Sequence, residues 1–214
     1  MNKTIINKVV EILENEYQEV ACTLNYRAPL ELLISTMLSA QCTDARVNIV
    51  TPMLFSQYKS VNDFADADIK AIEEIIRSTG FYHNKAQNMI NCCIQIRDEY
   101  NGEIPAVMEE LVKLSGVGRK TANVYLSEIH HTPGIIVDTH AKRLTNRIGL
   151  TKQTEPEKIE RDLMKKIPKE KWSDFSHRLV FHGRAVCHAR NPKCEICKLN
   201  EICEYNKKNI KKDI

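Results

Sequence analysis

No apolar run in this 214-residue chain approaches the roughly 20 residues that a membrane-spanning helix needs, so a helical integral membrane protein is excluded. The first residues, "MNKTIINKVVEILENEY", lack a long apolar core and a small-residue cleavage site. Low-complexity segments and internal repeats are also missing, which excludes a disordered linker and a repeat array. Strand-forming sequence is scarce. "GIIVD" (134–138) is the single candidate, and five residues make no sheet.

What is present is helical periodicity on a globular composition. Hydrophobic residues make up 43% of the chain, and its length suits one large domain or two small ones. Ile5, Ile6, Val9, Val10, Leu13 and Tyr17 recur at helical spacing, so the N-terminal stretch reads as the first helix of a cytoplasmic protein. Pro29 opens a second helix over 29–40. A third, over 44–58, carries Pro52 as an expected bend or break. Further helices are expected over 66–80, ending at Gly80, and over 83–102, ending at Asn101-Gly102. Others follow Pro105 and cover 154–167, with Thr154 and Glu157 as a capping box. The last long helix covers 171–189, and the lysine-rich tail "NKKNIKKDI" is expected to fray. The expected fold class is all-α, with nine or ten helices.

The net charge of +3 is unevenly spread. Residues 1–104 carry 9 Lys and Arg against 14 Asp and Glu, a balance of −5; residues 105–214 carry 22 against 14, a balance of +8. A half-chain with that excess suits a polyanion, although a solvated basic surface has the same composition.

Eight cysteines are present, and a cytoplasmic setting argues against disulfides. Cys22, Cys42, Cys92 and Cys93 sit singly or as a pair in apolar segments and read as small buried residues. The other four, Cys187, Cys194, Cys197 and Cys203, are spaced C-x6-C-x2-C-x5-C. Four thiolates at this spacing signal a metal. Structural zinc and a [4Fe–4S] cube both remain open on spacing alone. The loop between the first two cysteines carries His188, Arg190 and Lys193, cations that suit DNA phosphates or offset the charge of a thiolate cluster.

"LVKLSGVGRKTANVYL" (111–126) places Gly116, Val117 and Gly118 between two helical segments. Two glycines permit a tight turn with positive φ, and Val117 pins it by packing inward. The following helix starts with bare N–H groups beside Arg119 and Lys120, a suitable seat for a phosphate. An ordinary helix–turn–helix connection is the competing reading.

"LSGVGRKTANVYL" resembles the helix-hairpin-helix signature of the endonuclease III group of DNA glycosylases. "VDTHAKRLTNRIGL" (137–150), "LSAQCTDARVN" (38–48) and the four-cysteine cluster match the same family in the same order. The resemblance covers nearly the whole chain. It implies a two-lobed helix-hairpin-helix glycosylase fold: a six-helix barrel over 22–132 and a cluster lobe built from 1–21 and 133–214. It also implies that the cysteines hold a [4Fe–4S] cluster.

The implied activity is base-excision repair on double-stranded DNA with a damaged base or abasic site. It combines N-glycosylase action on oxidised pyrimidines with strand cutting by β-elimination. Lys120 matches the nucleophile that attacks C1′ and forms a Schiff base. This needs a neutral amine, whereas a free lysine is almost wholly protonated near neutrality. A helix start beside Arg119 disfavours positive charge there. Asp138 reads as a helix N-cap and, by resemblance, as a carboxylate that stabilises positive charge on the sugar. Its negative charge favours protonated lysine, so its benefit belongs to the transition state. Gln41 and Phe81 match the two side chains that enter the base stack, although the family often carries an aliphatic residue at the second. Gly116, Val117, Gly118, Arg119, His140, Arg190 and Lys193 complete the expected DNA contacts. DNA is expected in a cleft between the lobes, where Lys120 and Asp138 meet. A monomer near the chromosome is expected. The competing functions are a monofunctional mismatch or adenine glycosylase, and a non-catalytic DNA-binding module stapled by zinc.

Overall fold

The computed structural model describes residues 2–210. Among them are twelve α-helices, three short 3-10 turns and no strand. The helices are α1 (Lys3–Glu16), α2 (Pro29–Leu38), α3 (Asp44–Gln57), α4 (Val61–Ala65), α5 (Ile69–Ile76), α6 (Tyr82–Glu99), α7 (Met108–Leu111), α8 (Arg119–His130), α9 (Thr139–Ile148), α10 (Pro156–Met164), α11 (Trp172–Ala185) and α12 (Glu204–Ile210). The chain divides into two compact units, Cys22–Thr132 and Met1–Ala21 with Pro133–Ile214. No helix among the described residues is long and apolar enough to cross a membrane.

The Cys22–Thr132 unit holds α2 to α8: six helices of five or more residues and the single turn α7. Leu32, Leu33 and Ile34 of α2, Leu54 of α3, Phe64 of α4, Ile72 and Ile76 of α5 and Met89 and Ile96 of α6 form its sealed core. Cys92 and Cys93 are fully buried there, whereas Cys22 and Cys42 are half-buried, against expectation. The capping box lies at α4, where Ser60 Oγ accepts from Asp63 N and Asp63 Oδ2 accepts from Ser60 N. Pro52 neither ends nor splits α3, which runs through it as one helix. Its missing N–H costs one hydrogen bond, while Val47, Val50, Leu54 and Phe55 keep both halves anchored in the core.

In the other unit, Asn2 caps α1, and Ile6, Val9, Val10 and Leu13 of that helix join Ala141, Leu144, Ile159, Leu163, Phe175 and Leu179 in one core. The N-terminal helix is tied to α11 as well. The Arg178 guanidinium, 7% exposed, donates to the Tyr17 carbonyl at 3.1 Å and faces Glu14 at 3.5 Å. The expected box at Thr154 does not form: Glu155 is the residue before α10, and no side chain caps that end. Pro156 sets the first turn instead. "GIIVD" has no strand partner; hydroxyls of α11 take two of its N–H groups, Ser173 Oγ accepting from Gly134 N and Ser176 Oγ from Ile136 N at 2.9 Å. Of the lysine-rich tail, residues to 210 continue α12, and 211–214 lie outside the described residues.

Candidate DNA-binding and lyase site

The turn before α8 is built as a close backbone approach. Gly116 has φ +73°, a conformation that L side chains rarely adopt. A Cβ there would stand 2.8 Å from Asn88 Cβ and 2.9 Å from Met37 Cε. Gly118 is extended at φ −87°, ψ 171°, and a Cβ on it would meet nothing within 4 Å. Positive φ is therefore needed once, and the second glycine leaves the helix entrance open. Val117 is buried, and its N–H donates to the Leu114 carbonyl at 3.0 Å. From α6, Gln95 Oε1 accepts from Ser115 N at 2.7 Å, which fixes the turn from behind. No side chain caps α8, so its first N–H groups open onto the surface beside Gly118.

Lys120 is exposed in the first turn of α8, and Arg119 before it is half-buried. The half-buried Cys22 thiol lies close enough to feel the Lys120 charge. Burial, with Glu128 and Asp44 nearby, still pushes that thiol up to about 11.

Gln41, Phe81 and Gly116 are distant in sequence but line one cavity of about 230 Å³ together with Lys85. Gln41 follows α2, and Phe81 immediately precedes α6. Both are exposed non-glycine residues in the left-handed region, at φ 52° and 50°.

In the unit that holds α9, Asp138 is the N-cap of that helix and its Oδ1 accepts from Ala141 N at 2.7 Å. His140 faces α11. Its Nδ1 lies 3.1 Å from an Arg143 nitrogen, and only a glycine at 183 leaves it room. Lys120 and Asp138 belong to different units.

The four clustered cysteines line a single cavity, walled also by Leu144, Ile148, Val186 and Leu199. Their thiols are near enough to act on one another: Cys197 is pushed up to about 11, by burial first and by its three neighbours after. Among the described residues, no three His, Cys, Asp or Glu side chains are grouped to hold a metal ion. Four thiols around one cavity are the donor set that a [4Fe–4S] cluster takes. Lys193 lines the same cavity, and Arg190 is exposed on the loop before it.

Two arginines that sequence reasoning missed hold this loop. Arg143 donates to the Cys187 carbonyl at 2.9 Å and to the Gly183 carbonyl at 3.2 Å. Arg147, one turn on, donates to the carbonyls of His188 at 2.6 Å and Ala189 at 2.9 Å, and stands 3.5 Å from Cys187 Sγ. Their i,i+4 spacing on the helix after Asp138 was the available signal.

Residues 34–169 match the HhH-GPD superfamily of base excision DNA repair proteins, and residues 187–203 match the iron-sulfur binding domain of endonuclease III. The chain is 51% identical to endonuclease III of Synechocystis over 92% of this chain and 90% of that protein. It is 40% identical to the Bacillus subtilis protein of the same name, over 100% and 98% of the two chains. Among solved structures, a non-covalent endonuclease III–DNA complex superposes with a TM-score of 0.95 at 42% identity, covering 99% of each chain. A trapped endonuclease III–DNA covalent intermediate does so with 0.95 at 43%, covering 98% and 99%. With its helix-hairpin-helix turn, its N-cap aspartate and its four-thiol cavity, this chain belongs to the endonuclease III family of the HhH-GPD superfamily.

Proposed function

We propose that the protein is a base-excision repair enzyme: a DNA N-glycosylase for oxidised pyrimidines with abasic-site lyase activity. The observation that carries this is Lys120, an exposed amine in the first turn of an uncapped helix directly after the Gly116–Gly118 turn. The open helix entrance and Arg119 seat a DNA phosphate, which brings the adjoining sugar to the amine.

A base inside a duplex is unreachable, so the nucleotide is extruded, and Gln41 and Phe81 fill the gap. The Lys120 amine, neutral at this moment, attacks C1′. The C1′–N bond breaks, and its electron pair leaves with the base, which takes up a proton. The amine loses a proton and the sugar ring opens, leaving a Schiff base between Nζ and C1′. Loss of the C2′ proton then expels the 3′ phosphate and cuts the strand. Water finally hydrolyses the imine and restores the lysine. The Asp138 carboxylate stabilises the positive charge that builds on the sugar as the base departs. His140, Arg190 and Lys193 add phosphate contacts in the cluster domain. Cys187, Cys194, Cys197 and Cys203 would hold a [4Fe–4S] cluster, which would supply a cross-link over residues 187–203. The enzyme acts as a monomer on chromosomal DNA in the cytoplasm.

Borohydride tests the nucleophile, because hydride reduces the imine to a stable amine. DNA with an abasic site should yield a covalent adduct, and Lys120→Ala should abolish it. An undiminished adduct in that variant would place the nucleophile elsewhere. Asp138→Asn should slow base release more than cutting at a pre-formed abasic site.

A further inference from the structure

Lys85 has two features that ought to count against a lysine. It sits in the first turn of α6, where the helix dipole disfavours a cation, and it is 7% exposed. Burial lowers its affinity for a proton. Two backbone carbonyls offset these penalties. The Lys85 ammonium donates to the Leu38 carbonyl at 2.8 Å and to the Thr79 carbonyl at 2.9 Å. Leu38 is the last residue of α2, and Thr79 the last of the 3-10 turn over 77–79, so both acceptors are helix-end carbonyls. Three residues after Leu38 comes Gln41, and two after Thr79 comes Phe81. Both are left-handed, both are exposed, and both line the cavity that Lys85 also lines. One buried cation therefore clamps the two backbone segments that carry the two proposed wedge residues.

We propose that Lys85 is a positioning residue: it holds the Gln41 and Phe81 loops at fixed separation, so both side chains enter the duplex as one preformed unit. This rests on the wedge roles given under the proposed function. The benefit is preorganisation. Strained left-handed residues on untethered loops would relax in the free protein and would have to be re-ordered at each extrusion.

The test compares two DNAs. Duplex DNA with a damaged base needs the wedge, whereas a single-stranded oligonucleotide with an abasic site does not. With Lys85→Met, borohydride trapping on the single strand should stay within about twofold of the parent, because the Lys120 end of α8 is untouched. Base release from duplex should fall about tenfold or more, as misplacement by an ångström costs up to that range and beyond. The fluorescence rise of 2-aminopurine opposite the lesion, which reports unstacking, should fall with it. Adding Gln41→Ala and Phe81→Ala should cost little more, since the residues act as a unit. If Lys85→Met does not fold, Lys85→Gln, which keeps a donor for one carbonyl, should show the same pattern at intermediate size.

Equal losses on the two DNAs would make Lys85 an ordinary core residue and overturn the proposal. A salt dependence shallower by about one unit of slope would make it a phosphate contact, with the same consequence. An adduct that survives Lys120→Ala would instead sink the lyase reading and leave the unstacking comparison intact.

Discussion

Replacing Gly116 by alanine separates the architecture of the hairpin from its function, with Gly118→Ala as the control. At Gly116 the new methyl would lie 2.8 Å from Asn88 Cβ, an atom fixed to the α6 backbone that has no rotamer to move into. The Met37 Cε at 2.9 Å is the end of a flexible chain and yields more cheaply. Overpacking of this kind costs about 1–3 kcal/mol. The backbone adds to it, since φ +73° in a non-glycine residue costs about 1–2 kcal/mol. Together the loss is about 2–5 kcal/mol, or a fall in Tm of roughly 5–15 °C for a chain of this size. Alanine at Gly118 meets nothing within 4 Å at an ordinary φ, so only the weaker N-cap remains, below about 1 kcal/mol. That methyl would, however, stand where the phosphate is proposed to approach the α8 N–H groups. Thermal unfolding should thus single out Gly116→Ala, while DNA binding to an abasic duplex should weaken in Gly118→Ala with Tm nearly unchanged. An unchanged unfolding midpoint for Gly116→Ala would refute the steric reasoning. Full DNA affinity in Gly118→Ala would refute the phosphate seat.

Burial pushes the Cys92 thiol from its ordinary 9.0 up to about 12, and pushes Cys93 up as well. The folded state therefore holds these protons after the unfolded state has lost them. The contribution of these two thiols should be constant below about pH 9 and be lost as pH rises from there towards 12; urea unfolding under reducing conditions should show the slope, and Cys92→Ala should make it shallower. Arg147→Met removes the donor to the His188 and Ala189 carbonyls and the contact to Cys187 Sγ, so the brown cluster should bleach faster in air than in the parent. Equal bleaching would make the clamp incidental.

Much of the site lies in short stretches. The 6-2-5 cysteine spacing carries the candidate ligand set within seventeen residues, and Gly116 to Lys120 carry the hairpin turn and its amine within five. Asp138 was legible as an N-cap because cap and helix are neighbours in the chain. The readings that failed were those in which local signals compete with packing. Thr154 has capping-box spacing, yet the chain enters α10 one residue later. The break that Pro52 could have made does not occur, because buried residues on either side hold α3 together.

By itself the sequence determined the all-helical class, the clustering of four thiols, the hairpin turn before Lys120 and the Asp138 N-cap. Each is a pattern of residue types a few positions apart, and hydrogen bonds that close within a turn or a cap leave such patterns. Only the tertiary structure decided that Lys85 reaches back 47 residues to Leu38, and that Arg143 and Arg147 reach forward about 40 residues to hold the cysteine loop. In each case the acceptor is a backbone carbonyl. Every residue carries one, so the partner leaves no mark on the sequence, and only the folded path of the chain brings it within reach of the donor.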